Sequence, residues 1–354
     1  MPIFHSKAFI KITQRNLKHY LGLFWFIVLS SACAGAFSQN EILDAETEAD
    51  AGRKVLEIGR ELSARQLAIE GIQSEMGIYD VSLIEAYSDL AAFYFELEDY
   101  ENASKIYTDA LQVARINTGL YSHEQIPILE SLIENSSEAK EWRSVDNLLE
   151  LHYLINSRLY SPADLQYLEI VEAYGTWKLR IIRENLLDQT NLGLLTTAEN
   201  LSLFYDRVIG NFELEPEVKY ENLLNVIYIK TQVDMTLARS VAATPYSAFQ
   251  GTEREYITQT RCRNVRNSAG QVVRQCSTVQ VQNPRYRQSQ REAKQYALVR
   301  HTREISRSIG KLEEIKNTSA GLSLAEKQQI DTQIAELITE SEQLVRVSRR
   351  PYLL

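Results

Sequence analysis

Few residues in this chain are of a type and spacing that would do chemistry, and the clearest are Cys262 and Cys276, fourteen positions apart. Two cysteines at such a spacing can pair as a disulfide or hold a metal with further ligands. A zinc site would need two more donors. His123, His152 and His301 are isolated in sequence from the cysteines and from one another, so each histidine is expected to pack or to face solvent, and no metal site is expected. The chain carries only 14 glycines in 354 residues, and it contains no phosphate-cradling glycine loop, no nucleophile elbow and no histidine pair at metal spacing. Carboxylates are plentiful, but no strand order brings two of them to a cleft. The expectation is a protein with no catalytic residues, no cofactor and no metal, which works by binding.

The amino terminus bears on whether those cysteines pair. Lys7, Lys11, Arg15 and Lys18 precede an apolar run from Leu21 to Leu29 and a small-residue stretch ending in Ala34, Gly35 and Ala36. That order reads as an export signal, residues 1–36, with cleavage near Ala36. The apolar run is well short of the roughly 20 residues a spanning helix needs. Cys33 offers a rival reading as a lipid-bearing cysteine, although Ser30 stands where that signal usually has Leu. A retained membrane anchor is the third alternative. Export leaves Cys262 and Cys276 as the only cysteines, an even number in an oxidising compartment, and a bridge between them is expected.

Charge divides the chain. Its net charge is -9, and removal of the four basic residues of the signal leaves -13. Residues 37–250 carry -20 and residues 251–311 carry +9. Two regions of opposite sign imply two kinds of contact.

The elements that would position a binding surface come from internal repetition. GIYDVSLIEAYSDL from Gly77 is answered 42 residues later by GLYSHEQIPILESL from Gly119, and more weakly by RLYSPADLQYLEI from Arg158. Each copy has a loop tyrosine, Tyr79, Tyr121 or Tyr160, followed by an amphipathic helix, the third opening on Ser161 as cap and Pro162. In residues 80–117, Ile84, Tyr87, Leu90, Ala91 and Tyr94 share one helical face. After a turn at Glu98 and Asp99, Ala103, Ile106, Tyr107, Ala110, Leu111 and Ala114 share another. Small residues allow close approach and tyrosines fill the space beside them. Such a hairpin cannot bury its own apolar face, so neighbours must stack on it.

On the spacing of Tyr87, Leu90, Ala91, Tyr94, Ala103, Tyr107 and Ala110, this unit resembles the tetratricopeptide repeat family. Arg115 replaces the closing proline, and the 42-residue period is similar to the extended repeats of the kinesin light chain type. The next unit keeps the apolar character at Leu129, Leu132, Ile133, Ser136, Val145, Leu149 and His152, with Trp142 in the place of Tyr100. The resemblance covers about residues 58–180, and the whole chain is also similar to exported gamma-proteobacterial repeat proteins of unestablished role.

The resemblance implies that the first helix of each hairpin lines a groove for a peptide or partner helix. On this chain that face comprises Glu85, Ser88, Phe95, Glu96, Glu130, Glu134, Glu138, Gln166, Glu169 and Trp177. The expected groove is acidic, suits a basic protein or peptide partner, and has Phe95 and Trp177 as aromatic anchors. The alternative for Phe95 is packing against the next repeat, and for the glutamates a solvated face.

Past the repeats the apolar spacing predicts helices at about 162–187, 194–213 and 217–243, the last with a mixed face that includes Lys230 and Asp234. Residues 255–281 then read as a β-hairpin. Asn267 and Gln271 close the loop Ser268-Ala269-Gly270, with Gly270 at the left-handed position. Counting outward makes Cys262 and Cys276 direct cross-strand neighbours, about 4.5 Å apart if they fall at a close pair. Arg261, Arg263, Arg266 and Arg274 on the hairpin, with Arg285, Arg287 and Arg291 after it, form a basic patch. The patch suits an anionic envelope component or an acidic protein surface, and in an exported protein not nucleic acid. Two long helices, about 286–316 and 323–347, follow as a helical hairpin. A monomer is expected, with dimerisation through the last helix as the alternative.

The expected fold is therefore all-α: a tetratricopeptide-like solenoid over 37–215, then a C-terminal helical region over 216–354 with one disulfide-linked β-hairpin. The expected function is that of a periplasmic interaction scaffold. A glycan-processing or glycan-binding protein on the same solenoid is the alternative, and it would require an enclosed cavity with convergent carboxylates.

Overall fold

A computed structural model describes residues 40–349, and side chains from 52 to 344. The export signal and Cys33 lie outside the described residues. The protein is all-α, with ten α-helices among the described residues and one two-stranded antiparallel hairpin. It forms two compact units, one ending at Trp177 and the other beginning at Lys178. The expected boundary at 215 and 216 falls inside the second.

The first unit opens with a long helix, α1 (Asn40–Met76), and continues with α2 (Ser82–Glu96), α3 (Tyr100–Thr118), α4 (Gln125–Glu138) and α5 (Trp142–Leu159). Helix α6 (Leu165–Glu184) runs across the boundary between the units. Each of α1 to α4 packs on the next. The α2–α3 pair and the α4–α5 pair turn in the same way. Leu97, Glu98 and Asp99 link the first, Ala139, Lys140 and Glu141 the second, with Glu98 and Lys140 both at positive φ. In both turns the last residue's N–H returns to a helix carbonyl five residues back, Asp99 to Tyr94 and Glu141 to Ser136, each at 2.9 Å. A three-residue link between packed helices makes each pair antiparallel. The 42-residue period thus recurs as equivalent turns, although glycine supplies neither left-handed residue.

Packing follows the spacing. Ala91, Ala103 and Ala110 have no exposed surface, Tyr107 is buried, and Tyr87 and Tyr94 are half-buried against the same cluster. The degenerate repeat keeps the scheme, with Leu129, Leu132, Ile133, Ser136, Val145, Leu149 and His152 all buried. The third copy departs from expectation at its start. Pro162 does not open a helix, because Ser161 to Asp164 form a turn, with Asp164 N–H bonded to Ser161 O, and α6 begins at Leu165.

The second unit is built round α8 (Leu224–Ala243), preceded by a short 3-10 turn, Tyr220–Leu223. Twelve residues of α8 are buried, among them Ile227, Lys230, Asp234, Leu237 and Val241. Helices α7 (Asn191–Glu213), α9 (Tyr286–Thr318) and α10 (Leu324–Arg349) pack against it. The stripes of α9 and α10 are buried as expected, from Leu298 to Ile315 and at Ile330, Ile334, Leu337 and Leu344. This explains why α7 belongs to the second unit: its apolar face, Ala198, Leu201, Tyr205 and Val208, is buried, and α8 is the helix packed on it.

Between α8 and α9 stands the hairpin, β1 (Tyr256–Arg266) and β2 (Val272–Gln282). Its register pairs Cys262 with Cys276, which are disulfide-bonded with α-carbons 4.0 Å apart. Asn267 N–H bonds to Gln271 O, and Gly270 has φ +81°. The loop residues and the cysteines therefore specify the same register, as the sequence predicts.

Candidate functional site

The expected groove residues lie on α2, α4 and α6, and their surroundings differ. Glu85, Glu96, Glu130, Gln166 and Glu169 are exposed, whereas Ser88, Glu134 and Glu138 are half-buried. The Ser88 hydroxyl donates to Ile84 O at 2.7 Å, a bond within its own helix. Phe95 is half-buried, packs on the shared core and meets Tyr100 edge-on at 5.7 Å. It packs against the repeat core and keeps part of its surface exposed.

Trp177 is only 2% exposed. Its indole N–H donates to Asp146 Oδ1 at 3.0 Å, and its ring lies 6.0 Å from that of Trp142. The expectation of Trp177 as a groove anchor is corrected by this burial. From Trp177 onward Lys178, Leu179, Ile181 and Ile182 are buried too, so α6 has no simple open face there.

What the first helices of the hairpins do gather is carboxylate. Tyr107 projects from α3, and its hydroxyl is raised above its ordinary pKa of 10 chiefly by burial, opposed by Ser131 and reinforced by the charges of Glu134 and Glu96. Carboxylates from the first helices of successive hairpins thus act on one point. One turn away, Glu130 is pushed above the usual carboxyl range by burial, although half of its side chain remains exposed. Its Oε1 lies 4.0 Å from His152 Nε2, a buried nitrogen with no hydrogen-bond partner. Burial lowers the His152 pKa to about 4, so the ring is neutral at pH 7. A neutral imidazole does not offset the Glu130 charge.

Spacing arguments miss an aromatic group between α5 and α6. Tyr153 stacks on Tyr174 at 5.3 Å, and its hydroxyl lies 3.2 Å from that of Tyr167. These large rings occupy the α5–α6 contact where alanines occupy the α2–α3 contact. The only available signal was the density of tyrosine after residue 150.

In the second unit, Lys230 is 3% exposed. Its ammonium donates to Asp234 at 2.8 Å and lies 3.2 Å from Asp206, while Ser202 donates to the other Asp234 oxygen at 2.6 Å. Burial works to lower the Lys230 pKa, but Asp234 and Asp206 outweigh it and raise it. A protonated amine held this way is no nucleophile. His301 nearby is lowered to about 4, chiefly by burial and then by Arg300. An open cleft of about 530 Å³ between α7 and α8 is lined by Leu194, Leu195, Ala198, Leu237 and uncharged polar residues, with no carboxylate. No cluster of three or more potential metal ligands occurs among the described residues.

The basic patch is brought together only in part. Arg261, Arg263, Arg266 and Arg274 are exposed on the hairpin, as are Arg285 and Arg287 at the start of α9. Arg291 instead lies over the Tyr246 ring at 4.9 Å.

No known family model matches the chain, and no characterised protein matches it in sequence.

Proposed function

We propose that this protein is an interaction scaffold of the tetratricopeptide type, which receives a basic peptide or protein segment on the inner surface of its helical hairpins, outside the cytoplasm. The observation that carries this reading is the set of carboxylates on the first helices of successive hairpins, Glu96 on α2 and Glu130 and Glu134 on α4, of which Glu96 and Glu130 are exposed. Glu130, partly desolvated with half of its side chain still exposed, is less well solvated than a free carboxylate, and an incoming Lys or Arg relieves that. The same carboxylates speed encounter with a basic partner.

The compartment is supported by the Cys262–Cys276 bridge, which is consistent with an oxidising, exported location. Among the described residues no helix is long and apolar enough to cross a membrane. The partner is recovered from envelope fractions by the full chain and by a control, Glu101→Lys, whose charge lies on the exposed side of α3. Glu96→Lys combined with Glu130→Lys and Glu134→Lys abolishes recovery. Equal recovery by all three proteins would end this reading. The test uses charge reversal in place of Trp177→Ala, since removing a buried indole would disturb the fold whatever the groove does.

A further inference from the structure

The hairpin has a root built into the second unit and a blade that touches almost nothing. At the root, buried Asn283 donates from its side chain to Arg254 O at 2.9 Å and from its backbone to Glu255 O at 2.8 Å, and its Oδ1 accepts from Arg285 N–H. Gln290, also buried, donates to Ser247 O and Phe249 O. Beyond this anchor every residue from Thr258 to Asn264 and from Val272 to Thr278 is exposed. A bare two-stranded ribbon is marginal in water. The disulfide makes it persist without burying it.

The register fixes which backbone groups of β1 are available. In an antiparallel pair, close pairs without ladder bonds alternate with hydrogen-bonded pairs. Cys262 and Cys276, at 4.0 Å, form a close pair. Glu255 with Asn283 and Asn267 with Gln271, at the two ends, are bonded pairs. By alternation the N–H and C=O groups of Thr258, Thr260, Cys262 and Asn264 point away from β2. They form an open strand edge, and the side chains on it are exposed.

Such an edge invites any strand, including one from another copy, unless charge prevents it. Here Arg261 and Arg263 flank it on one face and Arg266 on the other. No acidic residue occurs from 256 to 291. None of these three arginines makes an ion pair among the described residues. Like charges repel a second copy of the hairpin and favour an acidic strand, whose alternate carboxylates would lie across from Arg261 and Arg263.

We propose that the outer edge of β1 is a strand-addition site for an extended acidic segment of another protein, with pairing through the backbone of Thr258 to Asn264 and selection by Arg261, Arg263 and Arg266. This proposal does not depend on the repeat surface. Added-strand recognition, unlike plain charge attraction, must protect specific amides.

The test uses the full mature chain with its disulfide intact, verified by mass under non-reducing conditions. The probe is an end-blocked octapeptide of alternating Thr and Glu, compared with its Thr and Gln counterpart and with phosphatidylglycerol vesicles. Binding is read by fluorescence titration and by residue-resolved amide exchange. The acidic peptide binds at least ~10-fold more tightly than its neutral counterpart, as loss of two or three charge-assisted contacts implies. It slows exchange at Thr258, Thr260, Cys262 and Asn264, while the already bonded Arg261 and Arg263 amides change little. Arg261→Gln with Arg263→Gln lowers affinity to that of the neutral peptide and leaves the disulfide in place. Binding without new amide protection would overturn the proposal, as would vesicles that bind while the peptide does not, or no binding by the acidic peptide at all.

Discussion

Asp234→Ala should damage the second unit more than any exposed substitution, because it strands a buried charge. Lys230 is almost wholly buried and has two carboxylate partners. Asp234 is itself buried, whereas the Asp206 side chain is 51% exposed and weakly held by comparison. Breaking a buried pair costs about 3–5 kcal/mol, and Asp206 remains to offset part of it, so ~3 kcal/mol is expected. For a unit of this size that lowers its melting temperature by roughly 6–12 °C. Replacing both members, Lys230→Met with Asp234→Leu, removes the charge with its partner and should restore most of the loss. Differential scanning calorimetry at pH 7 measures all three proteins. The sign also holds with pH: a raised lysine pKa stabilises fully below 10.5 and is lost as pH rises through the folded value. A fall of less than ~2 °C for Asp234→Ala, or a double variant as unstable as the single, would refute the reasoning.

Acid should weaken both units, since His152 and His301 each fall from 6.5 to about 4 on folding. A lowered histidine pKa leaves stability level above pH 6.5 and costs roughly 3 kcal/mol per group as pH falls toward 4; urea melts across that range should show His301→Gln flattening the slope for the second unit alone. Cys262→Ser with Cys276→Ser should speed amide exchange across β1 and β2 while helix melting stays within ~2 °C, because the blade buries so little; a collapse of the whole second unit would contradict its exposed placement. Trp177→Ala should cost about 3–5 kcal/mol of stability as a buried-indole deletion, and chemical denaturation that finds no loss would return Trp177 to the surface.

Much of this architecture is legible because several signals agree at the same residues. Ala91, Ala103 and Ala110 between Tyr87, Tyr94 and Tyr107 describe a close helix contact with filled flanks, and those side chains pack so. The hairpin register was legible for the same reason, as the Asn267 to Gln271 loop and the cysteines point to one alignment. Helix α1 lies in the stretch read as solenoid, but no periodic face marks it in the sequence. Ile69 is buried and Leu62 and Ile72 half-buried, whereas Val55, Leu56 and Leu67 are exposed, so its sequence carries a weak amphipathic period. The expected groove rests on charge alone. Glu85, Glu96, Glu130 and Glu169 are exposed as that reading requires and Phe95 is half-buried, but Trp177 is placed by carrying a spacing into a helix stretch that packing encloses. Periodicity finds one buried stripe, and it fails where burial surrounds the helix. The Tyr153, Tyr167 and Tyr174 group has no repeat counterpart, so no spacing rule could find it.

The central claim is that a partner lies on the acidic inner surface of the hairpins. Its most direct test is a photo-crosslinking amino acid placed in the full chain in living cells, at position 130 on the inner side and at position 101 on the outer. The account predicts a discrete adduct from position 130 that disappears when Glu96 and Glu134 are reversed to lysine, and none from position 101. Adducts of the same pattern from both positions, or from neither, would contradict it.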